Sequence, residues 1–228
     1  MLLIVQNDPQ VPVGAYGDHL EELGVSFLIV RPFMGEELPP AEAVTAVLVL
    51  GGAMGIHDEA LHPFLVAVKS FIRGALAAGV PYLGICLGGQ LLADVLGGVV
   101  TSGSSGEKGT LSVTLTPAGC DDPLFAGIPA SFITFQWHND TFAIPAGGTL
   151  LASSSACKNQ AFRVGERAWG LQFHPEVTAE IIAAWAQWNE ETAPRGERFV
   201  AEFTASEPSS RETSRRLLLN FLRAASLV

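Results

Sequence analysis

Four short apolar runs, at residues 2–6, 25–30, 46–50 and 81–86, open the chain. Each is too short for a typical helix and rich in Val, Ile and Leu, the pattern of a strand buried on both faces. Helical patterns follow at three junctions. One covers about 14–23. Another runs over 61–78, where Phe64, Leu65, Val68, Phe71, Ile72 and Leu76 mark one face. The third starts after Cys86, with Leu87, Leu91, Leu92, Val95 and Leu96 at helical spacing, and Gly97-Gly98 stops it. Strands alternating with helices predict a parallel sheet with right-handed crossovers.

The pattern then changes. Segments 111–115, 132–137, 149–153, 160–164 and 168–173 predict strands with short polar joins, an antiparallel addition to the parallel sheet. A helix carrying Ile181, Ile182, Trp185 and Trp188 comes next. The expected fold is α/β: a three-layer, open, mostly parallel sheet flanked by helices, with an antiparallel extension. Residues 191–210, rich in Glu, Ser, Pro and Arg, read as an exposed connection. Leu217, Leu218, Phe221, Leu222 and Ala225 form a final amphipathic face, expected to dock on the core rather than to serve as a lid or dimer contact. The domain reading is therefore a catalytic domain over 1–190 with a connection and C-terminal helix, 191–228, packed on it.

Composition narrows the function classes. The 228 residues are 48% hydrophobic and 16% charged, with a net charge of −10 and no clustering of Lys or Arg. Such a surface repels phosphate backbones, so nucleic acid is not an expected partner. Three cysteines make an odd count, which disfavours a disulfide framework. The N-terminus lacks a basic region followed by an apolar run of roughly 7–15 residues. No stretch approaches about 18 consecutive apolar residues, so no membrane span is expected. A reducing cytoplasm suits this pattern.

The candidate chemistry starts at Gly84-Ile85-Cys86-Leu87-Gly88, where a buried strand meets a helix. This is the form of a nucleophile elbow, with Cys in place of Ser. A sharp strand-to-helix turn strains the central residue and brings the flanking backbone close, which favours Gly at both flanks. The turn places the sulfur at a helix N-terminus, whose positive dipole end favours a negative sulfur. Cys120 and Cys157 lack this context and are read as non-catalytic.

A thiolate attacking an amide needs a partner to protonate the leaving amine. Of the five histidines, His19, His57, His62, His138 and His174, the last ends a strand in Gln172-Phe173-His174-Pro175-Glu176. The proline pushes His174 into an extended conformation. Side chains two apart then share a side, so Glu176 can orient the His174 ring. The run Leu48-Val49-Leu50-Gly51-Gly52-Ala53-Met54-Gly55 ends the third strand in glycines. Open parallel sheets bind ligands beyond the carboxyl ends of their strands. Backbone N–H groups of Gly52 and Leu87 could there hold a developing oxyanion. The run lacks the Gly-Lys-Ser/Thr ending of a P-loop.

Gly84-Ile85-Cys86-Leu87-Gly88-Gly89-Gln90 together with Gln172-Phe173-His174-Pro175-Glu176, about 90 residues apart, resembles the class I (triad-type) glutamine amidotransferase domain over roughly residues 1–190. The segments Gln136-Trp137-His138-Asn139-Asp140-Thr141-Phe142 and Asn159-Gln160-Ala161-Phe162 are similar to those of the glutaminase half of GMP synthase. The resemblance implies a flavodoxin-like core and a catalytic triad of Cys86, His174 and Glu176. It also implies oxyanion donors at Gly52 and Leu87, and a substrate pocket with Met54, Gln90, Trp137, Asn139 and Asp140. The implied activity is hydrolysis of the glutamine side-chain amide through a γ-glutamyl thioester, without cofactor or metal, with ammonia passed to a separate synthase. A stand-alone γ-glutamyl peptidase or hydrolase is the competing enzyme. A silent regulatory subunit is the non-catalytic alternative, and the intact triad speaks against it.

Overall fold

The computed structural model describes residues 1–103 and 105–228. Its elements run β1 (Leu2–Val5), α1 (Ala15–Glu22), β2 (Phe27–Val30), β3 (Ala46–Val49), α2 (Phe64–Ala77), β4 (Tyr82–Ile85) and α3 (Leu87–Val95). They continue with β5 (Val100–Thr101), β6 (Glu107–Leu115), α4 (Pro117–Cys120), β7 (Ser131–His138), β8 (Thr141–Phe142) and β9 (Gly148–Ser153). The chain finishes with β10 (Ala161–Val164), β11 (Ala168–Leu171), α5 (Ala179–Ala186) and α6 (Gly196–Ala224). The main sheet has the order β2-β1-β3-β4-β11-β10-β9-β6-β7. Its first five strands pair in parallel, and the other four add on in antiparallel fashion.

Strand alternation divides the core into two layers. Leu2 and Ile4 face one side, where they join Tyr16 and Leu20 of α1 and Leu217, Leu218 and Phe221 of α6. Leu3 and Val5 face the other, with Leu65, Val68 and Ile72 of α2 and Leu91 and Leu92 of α3. Successive side chains of a strand point to opposite faces, so a strand covered on both sides must be apolar at every position. That is why β1, β3 and β4 show no polar alternation. The carboxyl ends of β3, β4 and β11 come together at one edge, and the site is built there. Among the described residues no helix is long and apolar enough to cross a membrane.

The tail departs from the sequence expectation. The connection ends at a single 3-10 turn, Ala193–Arg195, and residues 196–210 belong to the 29-residue helix α6 rather than to an exposed linker. Phe199 and Phe203, four apart, bury against Phe135, Trp137 and Trp185. That packing outweighs the break expected at Pro208, which removes one backbone donor from the helix. Ser210 Oγ donates to the Ser206 and Glu207 carbonyls on the same stretch. The short pairing of β5 with β8 was also not expected, because two-residue strands carry no period. Phe221 is fully buried and packs edge-on to Trp169 of β11 at 6.3 Å. Phe221→Ala should therefore cost about 3–5 kcal/mol of unfolding free energy in urea melts. A loss below about 1 kcal/mol would mean that α6 is not part of the cooperative core.

Candidate active site

Cys86 occupies the single residue between β4 and α3, with φ 50° and ψ −106°. This left-handed backbone is uncommon outside glycine and marks a strained, over-determined turn. The flanking glycines are required by space. A Cβ on Gly84 would run into the Gly88 carbonyl, and one on Gly88 into the Val49 carbonyl of β3. Cys86 N donates to Leu171 O at 2.8 Å, which ties the elbow to β11. No side chain caps α3, so its first-turn N–H groups, Leu87 among them, have no intrahelical acceptor.

His174 lies just past β11. Its backbone N donates to Phe135 O of β7 at 2.8 Å, and the Trp185 ring stands edge-on to the imidazole at 4.8 Å. Its Nδ1 is 2.7 Å from Glu176 Oε1, and both side chains are buried. The Glu176 carbonyl accepts from Ala15 N at 2.8 Å, which holds the acid's backbone against α1. The His174 ring lies beside Cys86: a Cβ on Gly51 would sit 3.1 Å from His174 Cε1 and 3.6 Å from Cys86 Cβ. With Nδ1 engaged by Glu176, Nε2 is the atom left for the sulfur. Burial opposes a charge on this ring, but Glu176 and Cys86 outweigh it and raise the imidazole from its usual 6.5 to about 10. A protonated ring between a sulfur and a carboxylate is equipped to give a proton to a departing nitrogen.

A cavity of about 180 Å³ opens onto Cys86. All five residues expected at a substrate pocket, Met54, Gln90, Trp137, Asn139 and Asp140, line it, and so does Gly52. The loop carrying Gly52 packs on the start of α3: a Cβ on Gly52 would lie 2.8 Å from Leu87 Cδ2. The two backbone positions expected to hold an oxyanion are thus neighbours. Asp8 Oδ2 accepts from Ala53 N at 3.0 Å, and Asn7 Nδ2 donates to Leu50 O at 2.8 Å, so both fix this loop from the end of β1. Gln172 Nε2 lies 3.6 Å from Cys86 Sγ, and Gln90 Nε2 lies 3.4 Å from Gln172 Oε1. Sequence reasoning missed Asn7, Asp8 and Gln172. Gln172 stands two residues before His174 in an extended segment, a spacing that could have flagged it. Asn7 and Asp8 follow a strand's carboxyl end, where open sheets place their sites.

A second Cys-His-Glu set adjoins the cavity, which His138 lines. Donor atoms of Glu107, His138 and Cys157 fall within 4.8 Å of one another. These groups are largely committed to hydrogen bonds. Glu107 accepts from Ser154 Oγ at 2.8 and 2.9 Å and from Gln160 Nε2. His138 Nδ1 meets the Asp140 carbonyl at 2.9 Å. Cys157 Sγ meets Thr141 Oγ1 at 3.1 Å, and burial pushes the thiol upward despite that contact. Cys157 has neither an elbow nor a helix N-terminus beside it. The set braces the segment from Trp137 to Asp140.

The sequence profile of the family described as "Glutamine amidotransferase class-I" matches residues 16–182. The glutamine amidotransferase-like protein YfeJ of Salmonella typhimurium is 32% identical over 193 residues, covering 82% of this chain and 81% of that protein. One of the subunits of the glutamine-hydrolysing GMP synthase of Archaeoglobus fulgidus is 42% identical over 162 residues, covering 69% of this chain and 79% of that protein. The crystal structure of a glutamine amidotransferase from Thermotoga maritima superposes with a TM-score of 0.87 at 32% identity, covering 98% of this chain and 97% of that one. The chain belongs to the class I glutamine amidotransferase family.

Proposed function

We propose that the protein hydrolyses the side-chain amide of glutamine through a γ-glutamyl thioester on Cys86 and supplies the ammonia to a separate synthase. The observation that carries this reading is the buried row of the strained elbow cysteine, His174 beside it, and Glu176 bonded to that ring at 2.7 Å. Cys86 thiolate adds to the amide carbonyl. Backbone N–H groups of Gly52 and Leu87 hold the oxyanion, each worth about 3 kcal/mol of barrier. His174 gives its proton to the amide nitrogen, and ammonia leaves as the thioester forms. His174 then takes a proton from water, the hydroxide attacks the thioester, and glutamate departs as the sulfur regains its charge. Glu176 keeps the ring in place and stabilises its cationic form. Met54, Gln90, Trp137, Asn139 and Asp140 seat the substrate. Nucleophile, acid and oxyanion donors all come from the chain, so this chemistry calls on no metal. A reducing cytoplasm would keep the sulfur available.

The relative in Archaeoglobus bears the name of one part of a synthase, which supports a separate synthase partner for this chain. The competing stand-alone γ-glutamyl hydrolase would use the same three residues. The test compares ammonia release from glutamine with amine release from a γ-glutamyl dipeptide by the isolated protein. Glutamine should be the better substrate by kcat/KM. A preference for the dipeptide would move the assignment to the hydrolase, and turnover of neither would remove the catalytic reading.

A further inference from the structure

Glu107, His138 and Cys157 come from three separate segments: the start of β6, the end of β7 and the loop after β9. They are 6%, 5% and 1% exposed, so bulk water barely reaches them. Their donor atoms lie within 4.8 Å of one another, and among the described residues this is the one such set of three. The His138 tautomer is fixed by its surroundings. Nδ1 lies 2.9 Å from the Asp140 carbonyl, which can only accept, so Nδ1 carries the ring proton. Nε2 keeps a bare lone pair, buried and without a hydrogen-bond partner. It faces Glu107 Oε2, another acceptor, at 3.4 Å. Two buried acceptors turned on each other are costly unless a cation stands between them.

We propose that Glu107, His138 Nε2 and Cys157 Sγ bind a zinc-type divalent cation that staples the wall of the Cys86 cavity. The donor set selects the metal: thiolate and imidazole suit zinc, whereas calcium and magnesium prefer oxygen alone. Ligand atoms about 2.0–2.3 Å from zinc at tetrahedral angles stand roughly 3.3–3.7 Å apart. The Nε2–Oε2 separation of 3.4 Å already fits. The sulfur closes the remainder by moving on the order of 1 Å. Charge balances as well. One carboxylate, one thiolate and a neutral imidazole cancel two positive charges, so no net charge is buried. Binding takes the thiol proton from Cys157 and releases it to solvent. The Asp140 carbonyl on Nδ1 is the kind of outer contact that orients a metal-binding histidine, and Ser154 and Gln160 hold Glu107 in the same way. Thr141 Oγ1, 3.1 Å from the sulfur, stands beside the fourth position. His138 lines the Cys86 cavity, so the metal holds the segment from Trp137 to Asp140 in place and takes no part in the reaction there. None of this depends on the hydrolytic reading.

Cobalt(II) is the probe, because a thiolate ligand gives it a charge-transfer band in the near ultraviolet and tetrahedral ligation gives it visible bands. The full chain carrying Cys86→Ala and Cys120→Ser keeps Cys157 as its only thiol. After treatment with a chelator it should take up one cobalt per chain with both sets of bands, and zinc should displace the cobalt. Zinc should also raise the thermal midpoint. Adding Cys157→Ser should erase the charge-transfer band and weaken metal binding by on the order of 100-fold or more. His138→Gln should weaken it likewise. Thermal melts check that each protein is folded, and Cys157→Ala replaces Cys157→Ser if the latter is not. Should neither fold, the charge-transfer band of the single-thiol protein still identifies the sulfur. No cobalt uptake, uptake without the charge-transfer band, or binding unchanged by loss of Cys157 would overturn the proposal. The first result would mean that a proton alone joins His138 to Glu107.

Discussion

Replacing Cys86 with alanine lowers glutamine hydrolysis by on the order of 10⁴-fold or more, with little change in stability. The variant keeps the pocket and the oxyanion donors but has no atom to form the thioester. Water would have to attack the amide directly, from a place the elbow does not define. The strain at Cys86, φ 50°, belongs to the one-residue turn between β4 and α3, and alanine inherits the same backbone. The thermal midpoint should therefore move by only a few degrees. Steady-state ammonia release together with a melt separates lost chemistry from lost fold. Retained turnover in a folded Cys86→Ala protein would exclude this sulfur as the nucleophile.

Glu176→Gln is expected to cost on the order of 10²- to 10⁴-fold in kcat. The amide can still meet His174 Nδ1, so the ring is not released, but the charge that supports imidazolium is gone. The same change alters stability against pH. The folded-state imidazole is raised from 6.5 to about 10, with Glu176 the largest of the raising influences that outweigh burial. The native state thus holds a proton that the unfolded state has lost, and stability must fall as pH climbs through that window. The contribution is whole below pH 6.5 and lost as pH passes about 10. In Glu176→Gln the fall should be smaller and end at lower pH. Urea midpoints across that range read this directly, and identical pH dependence in the two proteins would contradict the coupling.

Much of this was legible in the sequence because it depends on local pattern. The runs that became β1, β3 and β4 are apolar at successive positions, and burial on both faces leaves no other pattern for them. The Gly-x-Cys-x-Gly elbow writes its own packing, since each flanking glycine answers a specific backbone carbonyl. His174 and Glu176 were readable from their two-residue spacing. What escaped depends on segments that meet only in the folded chain. Phe199 and Phe203 look like isolated aromatics in a polar tail until Trp137 and Trp185 arrive to cover them. The spacing of Gln172 to His174 hints at a shared side, but its contact with Cys86, 86 positions away, exists only in the folded chain.

The central claim is that Cys86, and neither the exposed Cys120 nor the buried Cys157, forms the covalent intermediate. The direct measurement is inactivation by a chloroketone analogue of glutamine, followed by digestion and mass spectrometry of all three cysteine peptides. The account predicts one adduct, on Cys86, slowed by added glutamine. An adduct on Cys157 with Cys86 unmodified, or labelling that glutamine does not slow, would contradict it.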